Sequence, residues 1–303
     1  IRLQIKLCLS GFLSVCLAVV IGYLFFGRNV EQGAQIGGIL SGMYTGGMVN
    51  AAALQAIFRV NSENYILMSS YDIIISFLYL VFLLGVGIPM FRYLYGERKR
   101  EIPQSEQEEL DRQAEKSNEN PYRKLLTREG VKQLGKILVL TLAIVAVSGG
   151  VGLLMNEGWF MVVFILLITT LGVVASFFPS VRKMDMSYDI GMYLIYIFSI
   201  TIASMADFSN LHLAGGVNLL IFVILAVFLS LVFHALICRL MKVDADSMIV
   251  SSVTFINSPP FVPMASAALR NKRTLVTGLS AGIVGYALGN HFGVLMAKLL
   301  TLL

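Results

Sequence analysis

Two short segments carry the residue types that could bind a small solute or an ion. The first runs from Tyr44 to Asn50 and contains the glycine pair Gly46 and Gly47. Glycine lets a backbone leave the helical hydrogen-bond ladder, and the freed carbonyl and N–H groups can then meet a cation or an anion. Tyr44, Thr45 and Asn50 add side-chain oxygens of the hard type that Na⁺ prefers. The segment therefore predicts a polar binding site, whereas close packing of small helical residues is the simpler alternative.

The second segment ends in a cluster of prolines. Asn257 and Ser258 directly precede Pro259 and Pro260, and Pro263 follows. Each proline removes a backbone donor and clashes with the preceding turn, so a helix cannot continue through them. We expect Asn257, Ser258 and Pro259 to line the binding site.

Asp72 is the third chemical cue. It lies about two turns into a long apolar segment, where a lone carboxylate is costly and marks a functional residue by default. Asp72 is expected to ligate a coupling ion or to carry a proton, and a Na⁺ site at Asn50, Asp72 and Asn257 is one form of this hypothesis. The alternative is an interfacial residue near the polar stretch Asn61–Asn64, and both readings stay open.

The two segments also resemble each other. Residues 31–54 align with residues 246–269 without a gap at an offset of 215, and both are interrupted at the centre by glycines or prolines. In lipid an unpaired backbone group costs several kcal/mol, so a broken helix survives only against protein or a water-filled cavity. A matched pair of interrupted helices is typical of the binding site of a secondary transporter.

Composition places these segments in a membrane. The chain is 57% hydrophobic and only 14% charged, whereas a soluble domain carries about 25% charged residues. We expect an all-α, polytopic bundle with two structural repeats and two crossed, discontinuous helices. The net charge of +5 fits cationic cytoplasmic loops and gives no sign of nucleic-acid binding.

Seven apolar stretches are long enough to span a bilayer, and the two interrupted segments bring the total to nine elements. The seven are Ile5–Phe26, Tyr65–Phe91, Ile137–Met155, Phe160–Phe178, Ile190–Met205, Gly215–Leu240 and Leu275–Leu302. We predict a first repeat over residues 1–94, a charged cytoplasmic loop over 95–136 and a second repeat over 137–303. The first repeat has fewer helices before its break, so we expect it to be truncated at its N-terminus.

Alternation of spans predicts which charges share a face. The expected cytoplasmic set is Arg28, Arg92, the central loop, Arg182, Lys183, Arg239, Lys242 and Lys298, with Arg59, Arg270, Lys272 and Arg273 opposite. The same count makes both interrupted segments cross in one direction, which contradicts an inverted repeat. Either one segment does not fully cross, or the repeat is parallel.

No enzyme motif accompanies these features. The sequence contains no GxxxxGK[ST] phosphate loop, no HExxH and no GxSxG. We therefore expect no catalytic residues and no cofactor apart from Na⁺ or H⁺ as a coupling ion.

Several runs resemble a known family. GMYTGGMVNAAAL, YDIIISFLY, NSPPFVPMASAAL and GLSAGIVGYALGNHFG are similar to the YjcL-like membrane proteins, the family called domain of unknown function 819. That family is grouped with cation-coupled transporters, including bile-acid symporters and sodium–proton antiporters, so the resemblance implies a transporter fold. One departure is Ser258-Pro259-Pro260-Phe261, where the family usually has a glycine pair, a proline and alanines.

The function expected from these observations is ion-coupled secondary transport of a small, anionic organic solute across a bacterial inner membrane. The expected partners are this solute and the bilayer, and homodimerisation stays open. A non-transporting sensor or complex subunit, or a passive channel, are the alternatives.

Overall fold

The computed structural model describes residues 2–96, 127–184, 186–205, 213–271 and 273–303, and all regular elements in these ranges are helical. The helices are α1 (Arg2–Phe25), α2 (Gly33–Phe58), α3 (Ser62–Leu94), α4 (Arg128–Leu153), α5 (Glu157–Ser176), α6 (Pro179–Arg182), α7 (Met186–Met205), α8 (Leu213–Leu240), α9 (Ala245–Asn257), α10 (Val262–Leu269) and α11 (Arg273–Thr301). Most of the predicted central loop lies outside the described residues. The predicted span from Ile137 begins earlier, at Arg128, where Thr127 caps the helix by accepting a hydrogen bond from the N–H of Gly130.

The chain packs as two compact units. One comprises residues 1–102 and 202–303, and the other comprises residues 103–201. In the second unit, α4 and α5 pack together where Gly152 lies against the ring of Phe160, and Phe160 stacks on Phe164 with ring centroids 5.7 Å apart.

In the first unit, α2 is a helical hairpin and does not cross as one helix. Its backbone leaves helical geometry at Gly47, with φ 76° and ψ −179°. Gly42 then contacts Leu54, although twelve residues of continuous helix would separate them by about 18 Å. At the open end, the N–H of Asn61 donates to Gln32 Oε1 over 2.9 Å. Residues 33–46 and 48–58 therefore run antiparallel, and we call them the two arms of hairpin 1.

Helices α9 and α10 form hairpin 2 in the same manner. The chain turns at Ser258 and passes through a short 3₁₀ turn, Pro259–Phe261, before α10 returns. Gly278 of α11 contacts both arms, since a methyl group there would lie 2.7 Å from Val262 and 3.0 Å from Val250. At the open end, Asn271 Nδ2 donates to Asp246 Oδ2 over 2.9 Å.

The two hairpins open towards opposite faces. Helix α3 begins beside the open end of hairpin 1 and ends beside that of hairpin 2, where Arg92 Nε lies 2.8 Å from Asp246 Oδ1. Helix α11 runs the other way, from Asn271 to the contact of Leu300 with Gly37. The prediction of two crossed, discontinuous helices is therefore wrong in one respect, because each interrupted segment enters and leaves on the same side.

Helices α1 and α8 are also antiparallel. Lys6 Nζ donates to the carbonyl of Met241 over 2.7 Å, and at the other end Gly22 faces the ring of Phe222. The order span, hairpin, span thus occurs twice in the first unit, as α1–hairpin 1–α3 and α8–hairpin 2–α11, in opposite directions. The conflict between the predicted number of spans and an inverted repeat disappears, because neither hairpin crosses the unit.

This topology also redistributes the predicted charges. We call the two ends of the first unit the Arg92 face and the Arg59 face. The described cations on the Arg92 face are Arg2, Lys6, Arg92, Arg239, Lys242, Arg270 and Arg273, and those on the Arg59 face are Arg28, Arg59 and Lys298. Arg28 and Lys298 therefore do not lie on the face of Arg92 as alternation predicted, because that count treated each hairpin as a full crossing.

Candidate functional site

Both hairpins pack on one glycine-lined helix, α11. Hairpin 1 lies against its second half, where Gly42 approaches the backbone of Gly289 and Gly46 approaches that of Gly285. A methyl group on Gly46 would lie 2.7 Å from the carbonyl oxygen of Gly285. Hairpin 2 lies against the first half, where Gly282 contacts Pro259. Small residues allow this close backbone approach, so α11 brings both tips to the middle of its own length.

The tips of the hairpins touch at Gly47 and Ser258. A methyl group on Gly47 would lie 2.6 Å from Ser258 Oγ and 3.3 Å from the ring of Tyr286. Gly47 has φ 76° and ψ −179°, and Ser258 has φ 79° and ψ 159°. Both residues occupy a region of backbone conformation that is essentially restricted to glycine. Ser258 is therefore strained, and its strain lies at the point where the two hairpins meet.

Asp72 joins hairpin 1 to α3. Its side chain is 6% exposed, and its Oδ1 accepts hydrogen bonds from Tyr44 Oη and Ser76 Oγ, each over 2.8 Å. Among the described residues no cationic side chain forms an ion pair with Asp72, so its charge is not compensated there. A buried carboxylate without a cationic partner is costly, which is the setting expected for a residue that binds an ion or a proton.

Asn257 joins the same network from hairpin 2. Its Nδ2 donates to the carbonyl of Ser76 over 3.0 Å, while its Oδ1 is buried without a hydrogen-bond partner. Ser76 therefore links Asp72 to Asn257 through its hydroxyl and its carbonyl. An amide oxygen that is buried without a donor is a candidate ligand atom.

The structure places the other predicted site residues in contacts between packed helices. Asn50 is buried, and its Nδ2 donates to the carbonyl of Tyr286 over 3.3 Å, on the α11 side of hairpin 1. Thr45 Oγ1 donates to the carbonyl of Ser41 in its own helix, and Pro259 fills the space above Gly282. Direct contacts thus join Tyr44, Asp72 and Asn257 through Ser76, and join Gly47 to Ser258. No contact brings Asn50 to Asp72, as the predicted Na⁺ site requires.

The structural match between the hairpins has a different register from the sequence match. The turn residues Gly47 and Ser258 are 211 positions apart, and so are Arg59 and Arg270, which end the hairpins in left-handed conformation. These structural positions are therefore offset by 211 residues, four fewer than the offset of 215 in the sequence alignment. Four residues are close to one helical turn, so a pattern of small residues matches itself again after that shift.

Sequence reasoning missed three polar pairs between α3 and hairpin 2. Besides Ser76 with Asn257, Tyr79 Oη lies 2.6 Å from Ser252 Oγ. Arg92 also holds both arms of hairpin 2, since its Nη2 donates to the carbonyl of Leu269 over 2.8 Å in addition to its contact with Asp246. Of these residues the sequence marked Asn257, which precedes the proline cluster, and nothing in the sequence indicated which side chains pair across the two elements.

No group of three or more His, Cys, Asp or Glu side chains that could hold a metal ion occurs among the described residues.

Six of the described helices are long and apolar enough to cross a membrane. Together with the two hairpins, they define a multi-pass α-helical membrane protein. The chain belongs to the family described as Protein of unknown function (DUF819), whose family model matches residues 2–303. The resemblance inferred from the sequence motifs is thereby confirmed.

One curated relative is the Uncharacterized membrane protein YjcL of Bacillus subtilis (strain 168). It is 25% identical to this chain over 298 residues, which cover 93% of this chain and 72% of the relative. No solved structure gives a significant match.

Proposed function

We propose that this protein is an ion-coupled secondary transporter of a small, anionic organic solute. The observation that supports this most strongly is the meeting of two re-entrant hairpins at Gly47 and Ser258, beside the middle of α11. Non-helical backbone within a membrane is tolerated where protein buries it or where it lines a cavity. Interrupted helices that supply free backbone groups near the midplane are a recurrent way to build a transporter site.

The order and direction of the elements support the same proposal. We infer that α1–hairpin 1–α3 and α8–hairpin 2–α11 are inverted repeats at an offset of 211 residues. Inverted repeats give a transporter two related conformations, each open to one side of the membrane. A substrate between the hairpin tips would then be reached from either side in turn.

The preference for an anion comes from hairpin 1. Its second arm begins at Met48, and the first N–H groups of a helix have no acceptor within that helix. These N–H groups carry partial positive charge at the tip and favour a carboxylate or a similar anion.

The charge distribution suggests an orientation. The Arg92 face carries most of the described cations of the first unit, so the positive-inside rule assigns it to the cytoplasm. This orientation is consistent with our proposal of a bacterial inner membrane.

Uptake by the purified protein in proteoliposomes tests the proposal. The probes are labelled small monocarboxylates, dicarboxylates and amino acids, each offered with an inward Na⁺ or H⁺ gradient or with none. We expect at least one solute to accumulate above its external concentration with a gradient, and an ionophore that collapses the gradient to abolish accumulation. Equilibration without accumulation would indicate a passive channel, and no uptake of any probe would favour a sensor or a complex subunit.

A further inference from the structure

At the tip of hairpin 2, the last backbone carbonyls of α9 are followed by residues that cannot donate an N–H group to them. The last four carbonyls of an α-helix lack partners within the helix and normally receive N–H groups from the residues that follow. After α9 these residues include Pro259 and Pro260, which have no N–H and occupy the donor positions for Phe255 and Ile256. The next N–H, that of Phe261, donates to the carbonyl of Ser258 over 3.2 Å.

No described N–H group beyond α9 donates to the carbonyls of Phe255, Ile256 and Asn257. These oxygens carry the negative end of the helix dipole. Two side-chain oxygens lie at the same turn. Asn257 Oδ1 is buried without a donor, and the hydroxyl of Ser258 forms no hydrogen bond within the described part of the chain.

We propose that the tip of hairpin 2 is a monovalent cation site of the Na⁺ type, formed by Asn257 Oδ1, Ser258 Oγ and the carbonyls of Phe255 and Ile256. Neutral amide, hydroxyl and carbonyl oxygens are hard ligands, which suit Na⁺ and not a soft metal. This inference rests on the proposed function only in taking Na⁺ as the coupling ion, since binding of the cation needs no solute.

The charge of Asp72 favours a monovalent cation. Asp72 reaches the tip through Ser76, which donates to Asp72 Oδ1 and accepts from Asn257 Nδ2. One buried negative charge without a cationic side-chain partner balances one monovalent cation, whereas a divalent ion would leave an excess positive charge in a buried site. The proposed cation therefore also accounts for the buried, unpaired Asp72.

The strain at Ser258 fits the same role. Glycine would adopt its φ of 79° without strain, and glycine would also remove the hydroxyl. A serine in this conformation is explained if its Oγ binds a ligand, because that interaction offsets the strain.

Binding of ²²Na⁺ to the purified protein, in choline chloride at constant ionic strength and without organic solute, tests the site. We expect saturable binding that unlabelled Na⁺ displaces and that K⁺ displaces at least about tenfold less effectively. Asn257→Ala and Ser258→Gly each remove one ligand oxygen and should weaken binding by about tenfold or more. Pro260→Ala restores an N–H that can donate to the carbonyl of Ile256, so it should weaken binding without removing a side-chain oxygen.

Ser70→Ala is the matched control, because it removes a buried hydroxyl of α3 that donates to the carbonyl of Ile66 in its own helix. Its affinity for ²²Na⁺ should equal that of the unmodified protein. Absence of saturable ²²Na⁺ binding, or equal affinity in all four variants, would overturn the site. If ²²Na⁺ binds as expected but no solute is transported, the transport proposal fails and the cation site stands. If proton-driven uptake occurs without ²²Na⁺ binding, the cation site is refuted and the transport proposal stands.

Discussion

The two hairpin tips share a backbone conformation and differ in the groups they offer. Gly47 and Ser258 have closely similar φ and ψ angles, yet the residues after them differ. Met48 and Val49 keep their N–H groups, whereas Pro259 and Pro260 have none. Hairpin 1 therefore presents donors at its tip, and hairpin 2 presents acceptors. Under our proposals, the first tip would therefore suit an anion and the second a cation.

The open ends of the hairpins differ as well. Hairpin 2 is held by a partly buried ion pair, since Arg92 contacts Asp246 in one arm and the carbonyl of Leu269 in the other. Hairpin 1 is held by a neutral hydrogen bond between Gln32 and Asn61. Opening of hairpin 2 would therefore require the loss of a charged contact. Opening of hairpin 1 would require the loss of a neutral hydrogen bond only.

The largest expected effect concerns Asp72, which the hydrogen-bond network connects to both hairpins. Asp72→Asn should abolish gradient-driven uptake in proteoliposomes, because the carboxylate that compensates the coupling ion is lost. The fold should persist, since the Asn oxygen can still accept from Tyr44 and Ser76. Ser70→Ala is a suitable control, because this hydroxyl donates only to Ile66 in its own helix and its loss should leave uptake unchanged. Normal Na⁺ or H⁺ dependence in Asp72→Asn would refute the assignment.

The sequence predicted the composition of the tips better than their topology. Prolines and glycines mark a break reliably because their effect on the backbone is local. Whether the chain then crosses or returns depends on contacts such as Gly42 with Leu54, which are not encoded in a hydrophobicity pattern. Asp72 was found because a charge in an apolar stretch is conspicuous, whereas Ser76 and Tyr79 were missed because single hydroxyls are common in membrane helices.

The open ends provide the second prediction. Arg92→Ala would leave Asp246, which is 6% exposed, without a cationic partner. We expect a loss of up to about 3 kcal/mol in the free energy of unfolding, because a buried carboxylate would lose its cationic partner. Gln32→Ala at hairpin 1 should lose only about 1 kcal/mol. The free energy of unfolding of both variants is measured by equilibrium unfolding in detergent. Equal losses of unfolding free energy would show that the contacts at the two open ends do not differ in strength.

The third prediction concerns the turn of hairpin 1. Gly47→Ala adds a methyl group 2.6 Å from Ser258 Oγ and places a side chain at φ 76°. We expect a loss of about 1–3 kcal/mol in stability and a fall in uptake. The double variant Gly47→Ala/Ser258→Gly should recover part of that stability, because it removes the hydroxyl from the contact. Gly172 is a helical glycine at which an added methyl group would meet no other atom within 4 Å. Gly172→Ala therefore serves as the control and should not be destabilised. If Ser258→Gly fails to recover any stability in the double variant, the tips do not touch as described.

The smallest expected effect has the opposite sign and arises at the turn of hairpin 2. Ser258→Gly should raise the free energy of unfolding by about 1 kcal/mol, because relief of a strain of about 1–3 kcal/mol exceeds the entropy that glycine loses on folding. Ser70→Gly provides the matched comparison in regular helix and should lower stability by about 0.5 kcal/mol. Thermal unfolding of both variants without Na⁺ would reveal the difference in sign.

A destabilised Ser258→Gly protein would mean that the serine contributes to folding through a contact, and that its conformation is not retained for ligand binding. A stabilised protein with weakened ²²Na⁺ binding would instead separate the two roles, since the hydroxyl would then serve the cation at the expense of the fold.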